Sequence, residues 1–175
     1  MAISLSHFEI RVRHLETMVD FFTRALGFVV TDRGHAGEHA MVFLSRNPAE
    51  HHQIVLNESA NGESRAGSLD HLAFRVETLE ALRGLHSALE AYGGLSVETV
   101  SHGTTWSVYF GDPEGNRFEF FFDTPWHVAQ PLRFPIDLSL PDGELVAWTE
   151  NKISSLADFQ PVGQWTEAHN KRLNR

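Results

Sequence analysis

The chain contains no cysteine. Disulfides, thiolate metal ligands and a thiol nucleophile are therefore excluded, and any metal must be held by nitrogen and oxygen donors. No run of about 18 apolar residues occurs, so no membrane-spanning helix is expected. Cations are scarce as well. The 14 Lys and Arg stand against 23 Asp and Glu, and phosphate binding needs clustered cations, so nucleic acid is disfavoured as a partner. The opening MAISLSHFEI lacks a basic start and a long apolar region. No signal peptide is expected, and the cytoplasm is the expected compartment. Histidine, by contrast, is plentiful.

The dominant pattern is a repeat. Residues 5–12 read LSHFEIRV and residues 69–76 read LDHLAFRV, which sets His7 and His71 at equivalent places 64 positions apart (71 less 7). Ser4 to Val12 alternates apolar and polar residues as a strand does. Leu15, Met18, Val19, Phe22, Ala25 and Leu26 recur at helical spacing, with Gly27 placed to end the helix. Strands are expected at Phe28–Asp32, Ala40–Ser45 and His52–Asn57, before a Gly, Ser and Asn-rich linker over 57–67. The second copy repeats this order. It has a strand at Leu72–Val76 and a helix with Leu79, Leu82, Leu85 and Leu89 on one face, ending at Gly93–Gly94. Strands at Leu95–Ser101, Thr105–Gly111 and Arg117–Asp123 follow, with a turn at Asp112–Gly115.

The expected fold is α+β: two βαβββ modules, 4–58 and 68–124, forming a curved mixed sheet around a metal cleft. Residues 125–175 form a C-terminal extension of the same single domain, 1–175. A helix is expected there at Asp142–Ser155 and another near Trp165–Leu173, with a break at Pro161.

Glu119 lies among phenylalanines in RFEFFF, where an unpaired carboxylate would be costly. Two imidazoles and one carboxylate are the ligand set of an open divalent-metal site, which makes His7, His71 and Glu119 candidate ligands. The plainer alternative is that each histidine is a hydrogen-bonded structural residue of its strand. His35 and His39, in a glycine-containing loop, read as solvated. Trp106, Phe110 and Trp126, with DTPWHVAQP (123–131), suit either an aromatic pocket wall or core packing.

HFEIRV, DHLAFRV and DPEGNRFEFF resemble the vicinal oxygen chelate superfamily over about residues 4–135. That group includes glyoxalase I, fosfomycin- and bleomycin-resistance proteins, methylmalonyl-CoA epimerase and type I extradiol dioxygenases. Glyoxalase-type members carry a fourth protein ligand on the last strand of the first module. Shifting Glu119 back by the repeat length lands on Val55, so the resemblance implies three protein ligands, as in the extradiol dioxygenases. HHQIVL resembles the segment bearing the active-site base of biphenyl-diol dioxygenases, with His52 and not His51 as its counterpart. His52 and Val55 nominally face opposite sides unless that strand begins late or bulges. SHGTTWSVYFGDPEGNRFEFF resembles the strand that contributes a histidine and then a tyrosine, here His102 and Tyr109.

The resemblance implies ring cleavage of a catechol-type, biphenyl-diol-like substrate by dioxygen. The non-haem Fe(II), or Mn(II), would be held by His7, His71 and Glu119. His52 would act as acid–base catalyst, and His102 and Tyr109 would hydrogen-bond substrate oxygen. The expected partners are a small aromatic diol and dioxygen, with no nucleic acid or membrane, in a homo-oligomer. The competing readings are another metal-dependent member, of glyoxalase, epimerase or thiol-transferase type, and a non-catalytic ligand-binding resistance protein.

Overall fold

A computed structural model describes residues 6–58 and 70–173. The expected strand start at Ser4 and Leu5, most of the 57–67 linker, and Leu69 lie outside the described residues. Two compact units are present. The first comprises Met1–Asp70, Ala88–Leu95 and Gly111–Arg117, and the second comprises His71–Ser87, Ser96–Phe110 and Phe118–Arg175.

In the first unit, β1 (Phe8–Val12) leads to α1 (Leu15–Asp20), which continues as a π-helical turn (Phe21–Ala25). Gly27 then reverses the chain at φ +67°, a left-handed conformation that a side chain would oppose. Strands β2 (Val29–Ala36), β3 (His39–Ser45) and β4 (Ile54–Glu58) follow. The sheet order is β1-β4-β3-β2, with β1 and β4 parallel and the other pairs antiparallel. Met18, Phe21, Phe22, Leu26, Val42, Leu44, Ile54 and Leu56 form its buried core. Met18, Phe22 and Leu26 stand four residues apart along α1 and its π-helical continuation, and Val42 and Leu44, and Ile54 and Leu56, stand at alternate strand positions.

The 111–117 turn is tied to the start of α1 by a carboxylate. Glu114 accepts the backbone N–H groups of Arg13 and His14, each at 2.7 Å. Asp112 Oδ1 in turn accepts the N–H groups of Glu114 and Asn116. Burial pushes the Asp112 carboxyl above its ordinary range, opposed by its hydrogen bonds from Asn116.

The second unit is built from β5 (Leu72–Arg75), α2 (Leu79–Tyr92, whose end belongs to the first unit), β6 (Val97–Ser101), β7 (Thr105–Gly111) and β8 (Arg117–Asp123). Then come β9 (Trp126–His127), β10 (Phe134–Pro135), α3 (Asp142–Ile153), β11 (Gln160–Pro161) and α4 (Val162–Leu173). The sheet runs β10-β6-β7-β8-β5, with β5 and β8 parallel, and β11 pairs separately with β9.

Both sheets are mixed and repeat one strand order, as the duplicated sequence requires. The register repeats as well. Phe8 pairs with Ile54 and Leu72 with Phe118, so both members of each pair shift by the same 64 positions.

Alternation sorts β7 and β8 into two faces. Phe110 stacks on Phe118 and Phe120 on the core face, and Trp106 there donates its indole N–H to Thr149 of α3 at 3.0 Å. Ser107, Tyr109 and Glu119 alternate to the opposite face.

Several sequence expectations need correction. Arg33 to Ala36 is strand, not loop: β2 and β3 form a hairpin closed at Gly37 (φ +64°). The short strands β9, β10 and β11 are too brief to leave a periodic signal. Pro161 pairs as a strand residue, and α4 begins directly after it at Val162. Of the two readings given for Trp106, Phe110 and Trp126, core packing is the one observed, since all three are buried. Among the described residues, no helix is long and apolar enough to cross a membrane.

Candidate functional site

The first sheet contributes one histidine-bearing face. His7 immediately precedes β1, and its exposed ring meets His52 edge-on with centroids 4.5 Å apart. His52 also packs edge-on against Phe43 of β3 at 5.2 Å. Phe43 is paired across the sheet with Val55, so the two share a face. Because β4 begins only at Ile54, His52 lies before the strand and strand alternation does not constrain it. Burial lowers the His52 pKa below the ordinary imidazole value of 6.5, and the nearby His7 and His51 lower it further. His52 is therefore biased toward its neutral form, the form that accepts a proton.

His51 donates to or accepts from His52 through their Nδ1 atoms, 3.0 Å apart. His51 has no role in the sequence reading, and the His51-His52 doublet is the one signal that points to it. His35 and His39 are exposed on the β2–β3 hairpin, where His39 bonds the Glu58 carbonyl through Nδ1.

The second sheet contributes four candidates. Glu119 on β8 is buried, 7% exposed, and its Oε2 lies 3.1 Å from His71 Nε2. That pairing answers the cost of burying the carboxylate. His71 precedes β5, and its 3.1 Å approach to Glu119 and its edge-on contact with Tyr109 put it on the face of both. Tyr109 lies edge-on to His71, centroids 5.5 Å apart, and its hydroxyl is 3.0 Å from His102 Nε2. His102 Nε2 is also 3.9 Å from Glu119 Oε1.

The tautomer of neutral His102 follows from its other nitrogen. Nδ1 lies 2.7 Å from the Leu132 carbonyl, which can only accept, so Nδ1 carries the hydrogen. Nε2 is then an acceptor and takes the Tyr109 hydroxyl proton in a hydrogen bond. Arg133 lies over the Tyr109 ring at 5.0 Å and is paired with Glu98, the residue opposite Tyr109 on β6. Gln130 donates to the His102 carbonyl. The 128–136 segment thus fixes the His102–Tyr109 pair, a role that no local sequence pattern announced.

His7 and His52 belong to the first unit, and His71, His102, Tyr109 and Glu119 to the second. Among the described residues, no three His, Asp or Glu side chains are gathered closely enough to hold a metal ion. The donor chemistry of the His71–Glu119 pair, one imidazole nitrogen and one carboxylate oxygen 3.1 Å apart, is of the kind that holds a divalent ion.

Residues 4–120 match the model of the Glyoxalase/Bleomycin resistance protein/Dioxygenase superfamily, and the chain belongs to that family. The chain is 26% identical over 121 residues to biphenyl-2,3-diol 1,2-dioxygenase 2 of Rhodococcus globerulus, covering 67% of this chain and 62% of that protein. It is 31% identical over 124 residues to biphenyl-2,3-diol 1,2-dioxygenase 3 of the same organism, covering 68% of this chain and 63% of that one. The metapyrocatechase of Geobacillus stearothermophilus is 29% identical over 130 residues, covering 73% of this chain and 37% of that enzyme. The match thus spans less than two thirds of each of these relatives. Among solved structures, a glyoxylase/bleomycin resistance protein/dioxygenase domain from Frankia sp. EAN1pec aligns with a TM-score of 0.62 at 25% identity. It covers 71% of this chain and all of that one. The Leishmania major glyoxalase I aligns with a TM-score of 0.55 at 21% identity over 69% of this chain and 87% of that one, a likeness of fold.

Proposed function

We propose that the protein is a type I extradiol dioxygenase that cleaves a catechol-type ring with dioxygen. The reading is carried by the two coupled pairs on one face of the second sheet, His71–Glu119 and His102–Tyr109. It is supported by the relatives named biphenyl-2,3-diol 1,2-dioxygenase. We assign His7, His71 and Glu119 as ligands of Fe(II), with Mn(II) as the alternative that the same donors accept. The ion would supply the meeting point for both diol oxygens and dioxygen.

The residues of the chain then have separate tasks. His52, biased toward its neutral form, takes a proton from the diol. In the proposed reaction the Tyr109 hydroxyl turns its one proton from His102 Nε2 to a substrate oxygen, leaving Nε2 to accept from a substrate hydroxyl, and His52 returns the proton it took. Val55, at the place equivalent to Glu119, leaves the assigned site without a fourth protein ligand. This weighs against a glyoxalase-type or epimerase reaction.

The test is oxygen consumption by protein reconstituted anaerobically with Fe(II), using catechol and 2,3-dihydroxybiphenyl, beside a His71→Ala control. Uptake with a yellow ring-cleavage product, lost in the control, is the expected result. Iron-loaded protein that consumes no oxygen with either diol would remove this assignment and favour another metal-dependent reaction of the family.

A further inference from the structure

We propose that Asp32 and His51 form a positioning dyad that fixes the tautomer of His52 and leaves its Nε2 free to accept a proton. This rests on the reading of His52 as the base, and concerns two residues that the reaction scheme above leaves without a task.

The geometry begins with a β-bulge. Along β2 and β3, Val30 pairs with Leu44, but the next pair is Asp32 with Phe43, so Thr31 is the extra residue. In a regular ladder Thr31 would stand opposite Phe43, and Asp32 opposite the buried Val42. The bulge instead puts Asp32 on the face of Phe43, the ring that packs against both His51 and His52. Bulges beside functional sites commonly re-aim a side chain in this way. Here it brings the Asp32 carboxylate to 3.9 Å from His51 Nε2.

The consequence follows from proton count. Two neutral imidazoles bonded through Nδ1 must share one hydrogen: one ring carries Nδ1–H and the other offers a lone pair. The pair alone does not determine which. The Asp32 carboxylate breaks the symmetry, because it favours a hydrogen on the His51 nitrogen that faces it, Nε2. His51 Nδ1 is then the acceptor, and His52 must be the ring with Nδ1–H. Its Nε2 lone pair is left available. Free imidazole side chains prefer the opposite tautomer, with hydrogen on Nε2, which cannot accept there. His52 is otherwise contacted by the His7 and Phe43 rings.

The test is the nitrogen-15 NMR signature of His52 in the full chain at about pH 8.5, where imidazoles are neutral. Wild-type protein should show a severalfold excess of the Nδ1–H form. His51→Leu, which removes the acceptor, should return His52 to an Nε2–H majority. His51→Asn, whose amide oxygen can take the place of Nδ1, should preserve the wild-type tautomer. Asp32→Ala should give a mixture. A wild-type His52 found mainly as Nε2–H, or one unchanged by His51→Leu, would overturn the proposal. No iron or diol enters this measurement. The expected tautomer in a protein that consumes no oxygen would therefore defeat the dioxygenase assignment while leaving the dyad in place. Where oxygen uptake is found, kcat should fall in His51→Leu and recover in His51→Asn.

Discussion

Val55 and Glu119 occupy the same position in two copies of one strand pairing. Val55 lies opposite Glu9 in the β1/β4 parallel pair, and Glu119 lies opposite Ala73 in the β5/β8 pair. Each member is displaced from its counterpart by the 64-residue repeat. The two sites nevertheless hold opposite chemistry. Val55 is buried beside Phe43, whereas Glu119 is buried with His71 as its partner. Val55→Glu places a carboxylate in the first sheet opposite Glu9, on the face of His7, the counterpart of His71, whose ring is exposed and edge-on to His52. The expected loss is about 2–4 kcal/mol of metal-free stability at neutral pH, read as a lower urea midpoint. A variant as stable as wild type would show that the first sheet accepts a carboxylate there as readily as the second.

Tyr109→Phe removes the donor that His102 Nε2 accepts. The lost hydrogen bond should cost about 1 kcal/mol of stability. In the proposed reaction this hydroxyl turns to donate to a substrate oxygen, so kcat should fall by about 10²–10³-fold with iron content unchanged, as for loss of one positioned donor to a reacting oxygen. Unchanged turnover would take Tyr109 out of the chemistry.

His52 sets a pH dependence. Its folded pKa lies below 6.5 because burial, then the charges of His7 and His51, disfavour its protonated form. Between the folded and unfolded values the unfolded chain binds more protons, so this group destabilises the fold as pH drops through that window. Its contribution is regained as pH rises above the unfolded value. Thermal midpoints of wild type and His52→Asn, compared from about pH 8 to about pH 5, should show the weaker decline in the variant. Parallel decline would indicate that other groups control the acid limb.

Gly103 holds the turn that presents His102. Its φ is +75°, and a Cβ there would sit 2.5 Å from Val128 Cγ1 and 3.1 Å from Leu132 Cδ2. Gly103→Ala should therefore cost about 2–4 kcal/mol, more than a strain-free Gly→Ala change, and loosen the Leu132 carbonyl from His102. Denaturation midpoints check the first effect, and the nitrogen-15 shift of His102 Nδ1 checks the second.

Glu114 is a structural carboxylate. It satisfies the N–H groups of Arg13 and His14 at the entry to α1. Glu114→Ala should lower stability by about 1.5–3 kcal/mol, with Glu114→Gln losing less because its amide oxygen still accepts. Equal losses would assign the effect to charge alone.

The repeat is written in the residues themselves, and it sets most of the architecture. Duplicated local patterns such as LSHFEIRV and LDHLAFRV impose the same strand alternation twice, and the sheets form with one order and one register. The same spacing makes Val55 the counterpart of Glu119. β7 and β8 have the bounds the sequence predicts, Thr105–Gly111 and Arg117–Asp123, with Trp106, Val108 and Phe110, and Phe118 and Phe120, at alternate positions. The relationships that tune the site were not legible, because they depend on partners distant in sequence or on backbone irregularities. The tautomer of His102 is set by the carbonyl of Leu132, 30 residues on, and every residue type offers the same carbonyl. Asp32 reaches the face of His51 only through one unpaired strand residue, Thr31, which leaves no periodic trace. Periodicity reports which face a side chain takes in a regular ladder; tertiary structure decides where the ladder is broken and which backbone atom completes each hydrogen bond.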